Sequence, residues 1–341
     1  MKTVRWGIIG CGDVTEIKSG PGFQKADGSA LVAVMRRDGA KSADYAKRHG
    51  VPRWYDDAAK LIADPEVDAV YVATPPSMHE TYAMMVCKAG KPCYVEKPMS
   101  RNAAEATRMS DAFAAAKLPL FVAYYRRAMP RFVKAKQILD SGQLGKLKSA
   151  TYAYRDGQMS KRTDPVPWRL QSEHAGGGLF FDLGSHAMDL MDYFLGSLTN
   201  VSGASRNKEG QFDVEDQVEL SFTAPGSIPG KGEWDFVSDK KEDLYTFKGE
   251  RGTLSFSCFG NEPLAVETPG QKPQEFEFPR PDHVQQPLIQ AIVNVLRGDA
   301  SARNWLSSGP VGVRTQEILD RAVEQFYGGR GDGFWARSNR K

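Results

Sequence analysis

The sequence has few cysteines and no long apolar run, and both absences restrict what the protein can be. Its 341 residues include four cysteines, Cys11, Cys87, Cys93 and Cys258, with no CxxC pair and no metal-like spacing. We therefore expect reduced thiols and a cytoplasmic location. No apolar stretch approaches the roughly 20 residues that span a bilayer. The N-terminus lacks the apolar core of a signal peptide, so we expect no membrane partner.

The sequence also lacks an excess of either charge. Its 45 basic and 42 acidic residues give a net charge of +3, and the two signs are interspersed. This balance argues against nucleic acid or an anionic membrane as the main partner. With 41% hydrophobic and 26% charged residues, the composition is that of a globular protein, and the length predicts two domains.

A glycine turn that follows an apolar strand is the first strong pattern. Residues 4–9 read as a buried strand, and Gly10 and Gly12 follow it directly, before the start of a helix. In such a turn the backbone approaches a pyrophosphate closely and N–H groups face it. Thr15 stands where the dinucleotide fingerprint has a small residue. A plain tight turn is the alternative, because glycine turns after strands are common.

The first third of the chain alternates apolar runs with helical patterns. Apolar runs lie at 4–9, 31–35, 68–73, 92–95 and 118–123, and helical patterns lie at 42–49, 79–88 and 102–116. This alternation predicts βαβ units and a parallel sheet with helices on both faces. Ligands bind beyond the carboxyl ends of such strands, so the residues there are the candidates for chemistry.

Arginines occupy the end of the second predicted strand. NAD-binding proteins often carry an acidic residue there, whereas this chain has Arg36 and Arg37 followed by Asp38. A guanidinium suits the 2′-phosphate of NADP, because it offers a fixed charge and forked donors. The pattern favours NADP over NAD. In the alternative, both arginines are solvated and Asp38 binds the NAD ribose.

A lysine follows the fourth predicted strand, within Glu96-Lys97-Pro98. An ammonium group beside a substrate hydroxyl lowers the pKa of that hydroxyl and stabilises a developing alkoxide. Pro98 stiffens the turn, and its peptide bond is a candidate for the cis form. The alternative is an ordinary surface lysine paired with Glu96.

The second half changes its pattern. After a helix at 131–140 and a strand at 147–154, short alternating runs fill 200–278, and helices at 284–296 and 311–327 follow. These runs predict a largely antiparallel sheet with one face on helices. The other face must meet solvent or another subunit, so we expect a homodimer or homotetramer through the open sheet.

One helix interrupts this half with a polar stripe. Asp182, His186, Asp189 and Tyr193 are spaced i, i+4, i+7 and i+11, which places them on one helix face. His186, oriented by Asp182, suits proton transfer near neutral pH. A structural histidine is the alternative. A metal would need a third ligand such as His174, and we expect none.

In their order and spacing these motifs resemble the glucose–fructose oxidoreductase/inositol dehydrogenase (Gfo/Idh/MocA) family. The resemblance covers residues 4 to about 327 and rests on Gly10-Cys11-Gly12, Ala73-Thr74-Pro75 with His79, Ala89-Gly90-Lys91 with Glu96-Lys97-Pro98, and Gly177-Gly178 with Asp182-Leu183-Gly184-Ser185-His186. It implies an N-terminal α/β Rossmann domain and a C-terminal α+β domain with a large, mainly antiparallel open sheet. The expected segments are 1–123, 124–327 and a mobile tail at 328–341.

The resemblance further implies an NAD(P)-dependent oxidoreductase that acts on a sugar, polyol or related carbonyl compound. Lys97 matches the family's substrate lysine, and Asp182 and His186 match its partners. Candidate cofactor contacts are Gly10, Gly12, Asp13, Val14, Arg36, Arg37, Thr74, Pro75, His79, Glu96, Lys97, Trp168 and Arg169, and candidate substrate contacts are Arg126 and Tyr154. Specificity is expected in loop 155–173, whose segment 158–162 has no interpretation from sequence.

Two other functions remain open at this point. A glycosidase could use tightly held NAD for transient oxidation and elimination, although branches with that activity usually lack the pair formed by Asp182 and His186. A non-enzymatic dinucleotide sensor could bind partners through its open sheet. The presence of Lys97 together with that pair argues against a site without activity.

Overall fold

The computed structural model describes residues 3–161, 163–299, 301, 303 and 306–329. Arg162 of the expected specificity loop and residues 330–341 of the expected mobile tail lie outside the described residues. The chain forms two compact units, one from residues 1–129 and 281–313, and one from residues 130–280 and those after 313. Among the described helices, none combines the length and apolar character that a membrane crossing requires.

Fifteen strands and eleven α-helices are described. The strands are β1 (Val4–Ile9), β2 (Ser29–Met35), β3 (Arg53–Tyr55), β4 (Ala69–Val72), β5 (Cys93–Val95), β6 (Leu120–Val122), β7 (Leu147–Arg155), β8 (Thr199–Arg206), β9 (Gln217–Ala224), β10 (Ile228–Asp235), β11 (Glu242–Gly249), β12 (Thr253–Phe256), β13 (Leu264–Glu267), β14 (Gln274–Phe276) and β15 (Ser307–Ser308). The helices are α1 (Asp13–Ile17), α2 (Gly20–Lys25), α3 (Gly39–His49), α4 (Ala58–Ala63), α5 (His79–Lys88), α6 (Ala103–Ala115), α7 (Pro130–Asp140), α8 (Ser172–Ala175), α9 (Ser185–Leu195), α10 (Gln286–Leu296) and α11 (Gly309–Tyr327).

The first unit contains a seven-stranded sheet in the order β15-β6-β5-β4-β1-β2-β3. Strands β1 to β6 pair in parallel, and β15 joins β6 in the antiparallel direction. Every residue of β4 is buried, as expected of a strand with helices on both faces. Because β1 lies between β2 and β4, the turns that follow these three strands meet at one edge of the sheet.

Four short elements of this unit were not predicted from sequence, namely α2, β3, α4 and β15. Helix α2 begins Gly20-Pro21-Gly22, a composition that normally indicates a turn. Here Pro21 lies in the first helical turn, where its missing N–H costs nothing. Strand β3 has only three residues, none of them buried, and therefore gives no apolar pattern.

Helix α10 belongs to the first unit, whereas the sequence placed it in one continuous segment, 124–327. The backbone N–H of Gln285 donates to the carbonyl of Lys18 at 3.1 Å. A Cβ atom on Gly22 would lie 2.9 Å from Cδ1 of Ile289, so α2 and α10 are in close contact. An amphipathic pattern shows that a helix buries one face, but it does not identify the element that the face packs against. A single domain boundary at residue 123 therefore could not assign residues 281–313 to the first unit.

The second unit contains an eight-stranded sheet in the order β14-β13-β12-β11-β7-β10-β9-β8. All its pairs are antiparallel except β7 with β10, which confirms the largely antiparallel sheet. Aromatic side chains cover its inner face, and the ring of Phe194 in α9 meets those of Tyr245, Phe247 and Phe256 edge-on. On the strands, outward positions alternate with these and carry mostly polar residues.

The polar helix begins differently from the prediction. Residues Phe180–Gly184 form a π-helical turn, and the α-helix proper starts at Ser185. The predicted stripe assumed one continuous α-helix from Asp182 to Tyr193, so its regular spacing is wrong for the first turn. A π-turn widens the helix and reorients the side chains before it.

Candidate active site

The glycine turn brings the end of β1 against the Thr-Pro loop. Gly10 has a φ of +91°, and a Cβ atom there would lie 2.9 Å from Cγ2 of Thr74 and 3.0 Å from the backbone of Ala73. Only glycine fits this conformation and this approach without strain. The predicted turn and the predicted loop are therefore neighbours. The hydroxyl of Thr74 is buried and has no hydrogen-bond partner among the described residues.

Thr15 closes the glycine turn through its hydroxyl. Its Oγ1 accepts the N–H of Gly12 at 3.0 Å and donates to the Gly12 carbonyl at 2.8 Å, and the side chain is fully buried. The departure from the fingerprint thus adds hydrogen bonds that fix the turn. Asp13 is exposed and Val14 is half-buried at the start of α1. Burial raises the pKa of the neighbouring Cys11 thiol to about 11, so this cysteine stays protonated.

The structure separates the two arginines that follow β2. Arg36 is half-buried, its Nη1 lies 3.4 Å from the carbonyl of Cys11, and the same atom is 3.9 Å from the position of a Cβ on Gly12. Arg37 is exposed and lines a groove of about 430 Å³ with Asp56, Asp57, Lys60 and Tyr82 among others. Only Arg36 is at the glycine turn.

Asp38, the alternative ribose ligand, caps helix α3. Its carboxylate accepts the backbone N–H of Lys41 at 3.2 Å and also pairs with the Lys41 ammonium at 3.4 Å. The backbone hydrogen bond lowers the pKa of Asp38, which is the behaviour of an N-cap carboxylate. Its role as the N-cap of α3 therefore accounts for the Asp38 side chain.

His79 links the Thr-Pro loop to the lysine turn. Its Nε2 lies 2.7 Å from the Thr74 carbonyl, and its Nδ1 lies 3.1 Å from the Pro98 carbonyl and 3.2 Å from that of Met99. The ring is fully buried, and burial lowers its pKa. The structure thus gives His79 a supporting position beneath both turns, while Pro75 is half-buried next to Thr74.

The lysine turn rests on a buried polar network. Glu96 accepts the N–H of Lys97 at 3.0 Å through Oε2, and its Oε1 accepts hydrogen bonds from Tyr71 and from Gln285, the latter at 2.6 Å. Gln285 in turn accepts the hydroxyl of Tyr94 at 2.8 Å. Sequence reasoning missed this network, because no local signal connects Gln285 to Glu96, 189 positions earlier. The Lys97–Pro98 peptide bond is cis, as the sequence suggested.

In the second unit the structure brings together Asp182, Arg169 and Trp168. Nε of Arg169 lies 3.5 Å from a carboxylate oxygen of Asp182, and the guanidinium lies 4.5 Å from the centroid of the Trp168 ring. Both members of the ion pair are partly exposed, so the pair contributes little to stability. The candidate cofactor contacts of this unit therefore adjoin a candidate catalytic residue.

His186 and Tyr154 are joined by a residue that the sequence did not single out. The ring of Phe259 lies 6.1 Å from that of His186 and 5.6 Å from that of Tyr154, centroid to centroid, and both pairs are edge-to-face. The hydroxyl of Tyr154 accepts a hydrogen bond from Gln158 at 2.7 Å. Burial raises the pKa of Tyr154, so its hydroxyl stays protonated. Gln158 belongs to the segment that had no interpretation from sequence.

Arg126 is buried in the first unit, where its guanidinium lies 5.3 Å from the ring centroid of Tyr125. Among the described residues, no group of three or more His, Cys, Asp or Glu side chains is arranged to hold a metal ion.

Two family profiles match this chain. Residues 4–124 match an oxidoreductase family with an NAD-binding Rossmann fold, and residues 132–255 match the GFO/IDH/MocA C-terminal domain. "Oxidoreductase P35" of Formosa agariphila is 38% identical over 95% of this chain and 98% of its own length. A levoglucosan dehydrogenase of Pseudarthrobacter phenanthrenivorans is 30% identical over 66% of this chain and 64% of its own length.

Solved structures share the fold. A levoglucosan dehydrogenase in complex with NADH and levoglucosan superposes with a TM-score of 0.82 at 21% identity, covering 95% of this chain and 97% of its own. An aldose-aldose oxidoreductase from Caulobacter crescentus, complexed with glycerol, gives 0.83 at 22% identity, with 96% and 99% covered. The expected Rossmann domain and the second domain with an open sheet are confirmed.

Proposed function

Because the chain belongs to the GFO/IDH/MocA family of NAD-binding oxidoreductases, we propose that it transfers hydride between a nicotinamide cofactor and a sugar, polyol or related carbonyl compound. The observation that carries this proposal is the set of turns at the carboxyl edge of the first sheet. There the glycine turn, the loop at Thr74 and the turn at Lys97 follow neighbouring strands.

These turns fit a dinucleotide. Gly12 leaves the backbone open to close approach, because the nearest atom to a Cβ there would be the Gly10 carbonyl oxygen at 3.8 Å, and the buried Thr74 hydroxyl offers a donor that no described residue satisfies. The bound cofactor supplies the hydride acceptor or donor. Candidate contacts from the second unit are Trp168 and Arg169.

We assign three residues to proton handling and charge stabilisation. In the oxidative direction His186 accepts the proton of the substrate hydroxyl, while the ammonium of Lys97 stabilises the oxygen. Asp182 orients the imidazole or stabilises its cation. Arg126 and Tyr154 contact the substrate. In reduction each residue reverses its role.

Arg36 supports a preference for NADP. Its guanidinium lies at the glycine turn, whereas the competing Asp38 carboxylate is used as a helix cap. A cationic fork at this place suits the 2′-phosphate. Removal of the charge should therefore weaken NADPH more than NADH.

The test of the cofactor site is a pair of fluorescence titrations with NADPH and NADH. Arg36→Asp should raise the Kd for NADPH at least tenfold, about 1.4 kcal/mol, with a smaller effect on NADH. Arg37→Asp is the matched control, because Arg37 lies in the neighbouring groove, and it should change neither Kd appreciably. Binding of NADH alone would reject the NADP preference, and binding of neither would reject the function.

The test of the chemistry is a substrate panel of sugars and cyclic polyols, with levoglucosan and myo-inositol included. Lys97→Ala and His186→Ala should each lower kcat about 100-fold or more while cofactor affinity stays nearly constant. His174→Ala is the control, since this exposed histidine lies in α8. Full activity in either variant contradicts the assignment. Sugar cleavage without accumulation of reduced cofactor would indicate an NAD-dependent glycosidase. Cofactor binding without any turnover would indicate a non-enzymatic dinucleotide sensor.

We also propose a homodimer or homotetramer that associates through the open sheet, and a cytoplasmic location. The outward face of the second sheet supports the proposed association. There Arg155 pairs with Glu233 at 3.0 Å and with Glu242 at 2.9 Å, beside the exposed Leu244. All four cysteines are free thiols, which supports the proposed cytoplasmic location. Light scattering on Leu244→Glu tests the interface, and an unchanged mass contradicts it.

A further inference from the structure

The turn at residues 257–262, between β12 and β13, is held by a half-buried anion. The carboxylate of Asp243 accepts three consecutive backbone N–H groups, those of Cys258 at 2.8 Å, Phe259 at 2.6 Å and Gly260 at 3.0 Å. Three successive N–H groups that converge on one anion form a nest, which fixes the backbone conformation of the turn.

A buried cation holds the same turn through its carbonyl groups. Arg131 in α7, only 7% exposed, donates to the carbonyls of Gly260 and Glu262, the latter at 3.1 Å, and to Oγ of Ser257 at 3.2 Å. Hydrogen bonds with an ionised partner are about twice as strong as neutral ones. A turn that only connects two strands does not need charged side chains on both its donors and its acceptors.

The hydrogen bonds to Asp243 and Arg131 hold the turn that carries Phe259. Its side chain is half-buried, and its ring meets those of Tyr154 and His186 at interplanar angles of 76° and 75°. The ring therefore lies between the residue assigned to proton transfer and one assigned to substrate contact. Ring contacts of this geometry are favourable by themselves and restrict the orientation of the imidazole.

We propose that Phe259 determines substrate specificity as an apolar wall for ring-shaped sugars and cyclic polyols, and that Asp243 and Arg131 are its positioning residues. The inference rests on the proposed function. A pyranose or cyclitol ring presents a face of C–H groups that packs on an aromatic ring, while its hydroxyls reach polar groups at the edge. An acyclic polyol offers no such face and gains less from the wall.

The first experiment compares Phe259→Ala with the matched truncation Phe276→Ala. Phe276 is also half-buried in the second unit, but it lies on β14, where the Lys134 ammonium is 4.6 Å from its ring centroid. Phe259→Ala should raise KM about tenfold for myo-inositol and levoglucosan, and less than threefold for sorbitol and glycerol. Cofactor Kd should stay constant, and Phe259→Tyr should restore the preference. Equal losses on cyclic and acyclic substrates, or the same profile for Phe276→Ala, would overturn the proposal.

Asp243→Asn tests the positioning role. The substitution replaces one acceptor oxygen with an NH₂ group that faces backbone N–H groups, so the turn should loosen. The variant should show the same selective rise in KM for cyclic substrates as Phe259→Ala. Loss of thermal stability with unchanged selectivity would mean that Asp243 is only structural.

A binding measurement separates failure of this inference from failure of the proposed function. If the wild-type protein oxidises nothing on the panel, the function has failed, and the wall is tested by NMR at the His186 imidazole, assigned through His186→Ala. A shift of that resonance with myo-inositol that Phe259→Ala abolishes supports the wall. The same shift in both proteins, or no shift in the wild type, overturns it.

Discussion

At the scale of single residues, His79 illustrates how burial and hydrogen bonding compete. Both ring nitrogens face backbone carbonyls, yet burial lowers the pKa of the imidazole, so the folded protein holds a neutral ring near pH 7. On unfolding the ring returns to its ordinary pKa of about 6.5 and binds a proton more tightly than in the folded state. Protonation therefore favours the unfolded chain.

This linkage predicts a pH-dependent stability. As the pH falls from about 7.5 to 5.5, through the unfolded-state pKa, the free energy of unfolding should decrease because the unfolded state takes up the proton. In His79→Gln that decrease should be shallower, while the exposed control His174→Gln should follow the wild type. Urea unfolding at three pH values measures the slopes. Identical slopes for His79→Gln and the wild type would show that His79 does not titrate differently on folding.

Residue positions were predictable where a turn motif fixes them, but side-chain directions were not. The glycine turn, the loop at Thr74 and the turn at Lys97 all lie at the sheet edge where the alternation of strands and helices predicted them. Arg36 and Arg37 read alike in the sequence, and only the fold directs one to the glycine turn and the other to a groove. The assigned roles of these residues stay predictions.

At the scale of elements, a buried acid holds the segment that precedes the π-turn before α9. Glu215 is fully buried and accepts the N–H of Gly178 at 2.9 Å, and its Oε2 also accepts the hydroxyl of Tyr327 at 2.6 Å. A Cβ atom on Gly178 would lie 2.6 Å from the Glu215 carbonyl, so the segment before the turn lies directly against this residue. Glu215 thus ties the start of the polar helix to the end of α11.

Removal of this acid should be costly. Glu215→Ala removes the carboxylate that accepts the buried N–H of Gly178 and the hydroxyl of Tyr327, and we expect a loss of about 3 kcal/mol in unfolding free energy. Tyr327→Phe removes the hydrogen bond from that hydroxyl to Glu215 and should cost about 1 kcal/mol. Urea denaturation compares the two variants. Equal and small losses would mean that water or another group replaces the carboxylate.

Long periodic elements were predictable and short or irregular ones were not. Helix α5 has the predicted bounds, and strand β1 has them too, because each carries a full apolar pattern between clear stop signals. Helices α2 and α4 are too short for a periodic signal. The π-turn was hidden, since its residues fit an α-helical stripe equally well.

At the scale of the whole molecule, the chain leaves the first unit after residue 129 and returns to it at residue 281. The return supplies α10, whose buried face includes Leu288, Ile289 and Ile292, and it supplies Gln285 for the network beneath the lysine turn. A residue in the last fifth of the sequence is therefore part of the buried network that supports the lysine turn. Domain boundaries drawn along the sequence cannot represent such a return.

The assignment of chain segments to the two units predicts which unit each of two core truncations destabilises. Ile289→Ala removes a side chain that packs on α2, and Leu319→Ala removes one in the part of α11 that belongs to the second unit; both residues are fully buried. Each should cost about 2 to 5 kcal/mol. Hydrogen exchange should then rise in β1 and α2 for Ile289→Ala, and in β8 and β9 for Leu319→Ala, because local stability follows the unit that lost the contact. If Ile289→Ala raised exchange only in the second sheet, residues 281–313 would not belong to the first unit in solution.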